Sequence, residues 1–316
     1  MKRTIALTAL LLAVASTALA ELHGSWTANM SDRKPGNIQL NLSRGGNHNF
    51  GHSMTVAELR NLSEAQINSG AATPVQFQLA REAGTISFEG TFRAGDGAGQ
   101  WRFAPNRDYV SAVRALGVSF DLDGSEEEDL LTVTMLDVST PYIRSMQAIG
   151  YRETLEKYLS MRIFNVTPEF VSEMRQLGFD HLSPDDLVAA RIHKVTPEYI
   201  RQMRAAGWNL SLDELVASRI HKATPEFAEE MRKLGYSNLS HDDLIAFRIH
   251  KVTAELIEDL RELGYTNIPA DDLVSMRIFK VTPEYIRELK SAGYSGIPVK
   301  KLIDMKIHRI DITKLK

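Results

Sequence analysis

Four histidines, His193, His221, His250 and His308, recur on a 28–29-residue period, and Arg191, Arg219 and Arg248 lie two positions before the first three. Arg162 and Arg277 extend the arginine column, and Lys306 ends it. A row of imidazoles can hold zinc or copper, and a row of guanidiniums can bind carboxylates. Phe164 and Phe279 occupy the histidine column, however, and a phenyl ring cannot replace a ligand, so that column reads as packing. The arginines admit two readings. Their guanidiniums can satisfy carbonyls or carboxylates of the neighbouring unit, and Glu169, Glu198, Glu226, Glu255 and Glu284 recur once per period as available partners for an ion ladder between units. Alternatively Arg191, Arg219, Arg248 and Arg277 form a basic stripe for an acidic peptide or a carboxylate-bearing envelope polymer.

Other chemistry-bearing residues reduce to structure. Gly51-His52-Ser53-Met54-Thr55 is one residue short of the G-x-S-x-G elbow, which requires a buried strand before it. Residues 45–50 are Gly- and Asn-rich, so the stretch reads as a polar loop, with His48 and His52 a surface pair. The pairs Asp185-Asp186, Asp213-Glu214, Asp242-Asp243 and Asp271-Asp272 sit where helix N-termini are expected, and capping explains them. The acidic stretch 121–129 evokes a calcium loop but lacks the ligand alternation and final glutamate of an EF-hand. No nucleophile–base or metal constellation emerges, and the expectation is a non-enzyme without a cofactor.

The elements that place these columns are repeats. Val166, Val195, Ala223, Val252 and Val281 open five near-copies at spacings of 29, 28, 29 and 29 residues. Each copy reads as two short helices. Thr196 caps the first, Pro197 starts it, and Gly207 stops it, with Trp208 folding back over Met203. Ser183 caps the second, with Asp186 completing a capping box. Weaker copies begin at Ser139 and Pro105, giving about seven units over residues 106–316, the first and last divergent. Such arrays stack into an α-solenoid of helix-turn-helix repeats.

Residues 21–105 have a period of two. Alternation at 23–28, 38–42, 75–79, 86–92 and 100–103 predicts antiparallel strands, with turns at Gly84 and within Gly95–Gly99 and a turn or two of helix at 56–62. The fold class is α+β, a small β-meander or sandwich domain followed by the solenoid. A small-ligand or glycan pocket where the strands meet the first helices, near Trp26, Trp101 and Tyr109, is the alternative to recognition by the array.

Met1-Lys2-Arg3, an apolar run and an A-x-A signal ending at Ala20 read as a cleavable leader over residues 1–20, which places the chain in the periplasm or outside the cell. No later segment is apolar enough to span a membrane, and there is no cysteine. Without Lys2 and Arg3 the formal charge goes from -3 to -5, which gives no footprint for nucleic acid.

The units V-T-P-E-[FY] followed by L-S-x-D-[DE]-L, with the preceding G-S-W-T-A and G-T-I-S-F-E-G-T-F segments, resemble uncharacterised secreted bacterial proteins. They are similar also to repeats in the extracytoplasmic part of beta-lactam-sensor-type membrane metallopeptidases. The resemblance implies the architecture and no activity, since H-E-x-x-H is absent. The expected function is non-catalytic: a binding or adaptor protein recognising an envelope or extracellular protein or peptide.

Overall fold

A computed structural model describes residues 22–30, 35–45 and 48–310. The leader reading of residues 1–20 lies outside them. The chain forms two compact units, divided between Ile163 and Phe164.

The first unit is built on one antiparallel sheet. Its strands are β1 (His23–Met30), β2 (Asn37–Arg44), β3 (His48–Thr55), β4 (Thr73–Arg81), β5 (Gly84–Arg93) and β6 (Asp96–Pro105), in the order β3-β2-β1-β6-β5-β4. Two three-stranded meanders are thus joined where β1 pairs with β6. Alternation puts Trp26, Leu40, Leu42, Phe77, Leu79, Phe88, Trp101 and Phe103 on one buried face. Trp26 meets Phe77 edge-on, at 5.3 Å between centroids, and Phe77 stacks on Phe88 at 4.6 Å.

Two expectations change here. The stretch read as a polar loop around Gly51-His52-Ser53 is β3, an edge strand paired with β2 along its length. Its one-sided pairing and largely exposed polar side chains explain why it carries no hydrophobic alternation. The strand also separates residues 48 and 52 by about 13 Å along the backbone, so they do not form the one-turn pair of a helix. Burial and the nearby Arg81 both lower the His52 pKa. The second change concerns the glycines of β6. The hairpin turn is Ala94-Gly95 alone, both with positive φ (50° and 94°), as a tight two-residue turn requires. Gly97 and Gly99 lie inside the strand, and the Trp26 register partner is Gly99.

After a 3-10 turn at Val56–Glu58 and the short α1 (Glu64–Ile67), fourteen helices follow among the described residues. The first unit contains α2 (Asp108–Ala115), α3 (Glu126–Leu136), α4 (Thr140–Ala148) and α5 (Leu155–Ile163). Helix α3 packs on β4, β5 and β6. The acidic stretch before it is a helix start: Ser125 and Glu128 make a capping box, and Arg107 pairs with Glu127 at 2.5 Å. The Glu82 carboxylate, in the β4–β5 turn, accepts from the Thr140 amide and hydroxyl, both at 2.6 Å. It tethers the α4 N-terminus to the sheet. Glu82→Ala is expected to cost about 1–3 kcal/mol, as for a lost charged cap, measurable by urea unfolding. An unchanged midpoint would show that the tether is dispensable.

The second unit holds five helix pairs: α6 (Pro168–Gln176) with α7 (Pro184–Ile192), α8 (Pro197–Ala205) with α9 (Leu212–His221), and α10 (Pro225–Lys233) with α11 (His241–Ile249). The last two are α12 (Ala254–Glu262) with α13 (Ala270–Ile278) and α14 (Pro283–Ser291) with α15 (Val299–Ile307). Their ends follow the expected grammar. Thr167, Thr196, Thr224, Thr253 and Thr282 each accept from an amide of the first turn. Ser183, Ser211 and Ser240 form capping boxes with Asp186, Glu214 and Asp243, so these carboxylates are occupied as caps. Phe179, Trp208, Tyr236, Tyr265 and Tyr294 fold back so that their amides bond Met174, Met203, Met231, Leu260 and Leu289. The second helices stack in sequence, α7 on α9, α9 on α11, α11 on α13 and α13 on α15. No helix among the described residues is long and apolar enough to cross a membrane.

Candidate functional site

The stacked second helices end in one recurring tetrad: Arg191-Ile192-His193-Lys194, Arg219-Ile220-His221-Lys222, Arg248-Ile249-His250-Lys251, Arg277-Ile278-Phe279-Lys280 and Lys306-Ile307-His308-Arg309. Stacking turns the tetrad into four columns along one edge of the array.

The arginine column faces inward. Arg191 Nε donates to Phe164 O at 3.1 Å, Arg248 Nε to His221 O at 3.3 Å and Arg277 Nε to His250 O at 3.0 Å. Arg191 lies over the Phe170 ring at 4.8 Å and Arg248 over Phe227 at 4.5 Å. Each guanidinium thus ties its unit to the C-terminal carbonyl of the unit before. The ladder between units therefore runs to backbone carbonyls, in place of the glutamates. Glu198 and Glu284 pair instead within their own helices, with Arg201 at 3.6 Å and Arg287 at 3.2 Å. This also explains why the next column tolerates both His and Phe: what the neighbouring arginine uses there is a backbone oxygen. Among the described residues no three His, Asp or Glu side chains converge as a metal group.

Arg219 departs from this pattern. Its unit, opened by Val195, is the one that is 28 residues long, and its Nε is buried without a hydrogen-bond partner while its guanidinium carbon sits 3.5 Å from the centre of the Tyr199 ring. Beside it the fully buried Ser218 hydroxyl meets His241 Nε2 at 2.5 Å. A parallel column at the ends of the first helices also ties units together. Arg204 Nη2 donates to Leu177 O at 2.6 Å, Arg261 to Leu234 O, and Lys290 Nζ to Leu263 O at 2.7 Å. These residues were visible in the repeat as a basic position before each glycine, but their partners lie 27 residues away.

The outward columns are isoleucine and lysine. Ile192, Ile220, Ile249, Ile278 and Ile307 are between 45% and 53% exposed. Lys194, Lys222, Lys251 and Lys280 are exposed, and each has a left-handed backbone, with φ between 56° and 58°. The first helices reach the same conformation with Gly178, Gly207, Gly235, Gly264 and Gly293. A side chain there costs about 1–2 kcal/mol that glycine avoids. A cation is favoured at a helix C-terminus, yet Arg191, Arg248 and Arg277 already supply one to the last turn of their helices. The array's ion pairs, Arg201–Glu198, Arg232–Glu229 and Arg287 with Glu284 and Asp259, leave the four lysines without a carboxylate partner among the described residues.

No family model, curated protein or solved structure matches this chain.

In the first unit, Trp26, Trp101 and Tyr109 are each 1% exposed. Trp26 Nε1 donates to Glu89 O at 3.2 Å, Trp101 Nε1 to Ser25 O at 3.0 Å, and the Tyr109 hydroxyl to Val138 O. Burial, with a smaller contribution from Glu82, raises the Tyr109 pKa. Trp26 and Tyr109 are core residues. Trp26 also lines a cleft of about 380 Å³, and Trp101 lines one of about 460 Å³, which Leu42, Phe50 and Met135 also line beside the Arg44–Glu128 ion pair. Its floor suits a small apolar group, and the ion pair a polar one.

Proposed function

We propose that this chain is a non-catalytic binding or adaptor protein of the periplasm or extracellular space, which recognises a polypeptide partner along the tetrad edge of its repeat array. The observation that carries this reading is the column of five half-exposed isoleucines, one per unit at the same helical position. Isolated exposed apolar residues are ordinary. A row of them at a constant place in stacked units is a surface built for contact. With Arg191, Arg248 and Arg277 engaged between units and Arg219 turned onto Tyr199, a partner meets isoleucine and lysine.

The test is capture from envelope extract by the full chain and by a variant carrying Ile220→Ser and Ile249→Ser. Full burial of an isoleucine contributes about 1.5–3 kcal/mol, and these are already about half buried, so loss of two should weaken binding by about tenfold or more. Stability should stay within about 0.5 kcal/mol, since both positions are surface sites. An unchanged set of captured proteins would sink the reading. The cleft beside Trp101 supports a second reading, a small-ligand binder; ligand-dependent quenching of tryptophan fluorescence in the isoleucine variant would favour it.

A further inference from the structure

We infer that the partner segment is an extended acidic polypeptide that places an apolar side chain on the isoleucine column at every third residue and carboxylates against the lysine column. This rests on the reading proposed above and adds the chemistry and register of what is bound. The charge argument comes from Lys194, Lys222, Lys251 and Lys280. They keep a left-handed backbone that glycine would occupy without strain, as it does at the other helix ends of the same units. They also lack carboxylate partners among the described residues. A strained backbone kept with a charged side chain, four times in succession, points to a use for the charge.

The register argument comes from stacking. Packed helices lie about 8–10 Å apart, so successive isoleucines on α7, α9, α11, α13 and α15 recur at about that interval. An extended chain advances about 10 Å in three residues, and a polyproline-type chain about 9 Å. Only the polyproline-type backbone, with three residues per turn, returns every third side chain to the same face. Laid across the helix ends it meets one isoleucine per three residues, and the residues between meet lysines. A β-strand turns every third side chain to the opposite face. A helical partner would advance only about 4.5 Å in three residues, so it would need its apolar residues about seven positions apart and would not follow a three-residue repeat.

The experiment uses the full chain and a fluorescein-labelled peptide of four Leu-Glu-Glu triplets, read by fluorescence anisotropy. Comparisons are an isomer with its leucines clustered at one end, a Leu-Lys-Lys peptide, and phosphatidylglycerol vesicles. The expected result is binding at least tenfold tighter for the Leu-Glu-Glu peptide than for either other peptide, weakening as salt rises. The combined variant Lys194→Gly, Lys222→Gly, Lys251→Gly, Lys280→Gly should bind at least tenfold more weakly and melt at the same or a higher temperature. Equal binding of the clustered isomer would overturn the register, and an unchanged affinity of the lysine variant would overturn the charge. A lower melting temperature of that variant would make the lysines structural and overturn the argument from strain. Binding of vesicles in place of the peptide would assign the edge to a lipid surface. If the peptide fails while the isoleucine substitutions still abolish capture, this inference falls and the binding function stands.

Discussion

Gly99→Ala is expected to lower the melting temperature of the first unit by roughly 10 °C. A Cβ at residue 99 would lie 2.0 Å from Glu89 O and 2.6 Å from Gly90 Cα, both backbone atoms of the neighbouring strand. Neither can rotate away as a side chain would, so β5 and β6 must separate locally. The same place seats the Trp26 ring: a Cβ on Gly90 would meet Trp26 Cζ2 at 2.7 Å. Separation therefore disturbs one of the two largest side chains in the core and its bond to Glu89 O at 3.2 Å. Overpacking of a core typically costs about 1–3 kcal/mol, and a collision with backbone belongs at or above the top of that range. For a unit of this size about 3 kcal/mol lowers the melting temperature by roughly 10 °C. Gly70→Ala is the matched control, because a Cβ at Gly70 has nothing within 4 Å. Thermal unfolding followed by near-ultraviolet circular dichroism should separate the two variants; coincident curves would refute the close-packing account.

Arg248→Met is expected to destabilise the repeat array by about 2–3 kcal/mol, and Arg219→Met by less than about 1 kcal/mol. Methionine retains most of the apolar stem in each case. Arg248 loses a charge-assisted bond to His221 O and its place over Phe227 at 4.5 Å. The bond to a charged group contributes about 1.5–3 kcal/mol and the ring contact about 0.5–2 kcal/mol, with methionine recovering part of the latter. Arg219 has the ring contact at 3.5 Å but buries Nε without a partner. Its replacement removes that desolvation cost along with the cation. Urea unfolding of the two variants measures the difference, and equal losses would mean that the carbonyl bonds contribute nothing beyond the rings.

How much of this was legible depends on how far apart the cooperating residues lie. The helix starts and stops rest on contacts within about six residues, such as Ser183 with Asp186 or Met203 with Trp208. A short stretch of chain carries that information whole, so both the repeat period and the pairing of helices could be read from it. The buried strands were legible for the same reason, since alternation records which face is wet. The edge strand β3 was not, because one neighbour and a largely wet surface leave no pattern in its own residues.

For the candidate site, sequence alone determined that arginine, isoleucine, histidine and lysine recur in columns. Which column faces out was decided by contacts between units: Arg248 finds His221 O 27 residues away, and that distance is set only when α11 stacks on α9. Arginine was the natural candidate because its charge is visible in a sequence. The isoleucines carry no charge and were assigned no role, and the left-handed lysines took a role that sequence grammar assigns to glycine. Local chemistry wrote the helices into the chain, and stacking decided which of their residues a partner can touch.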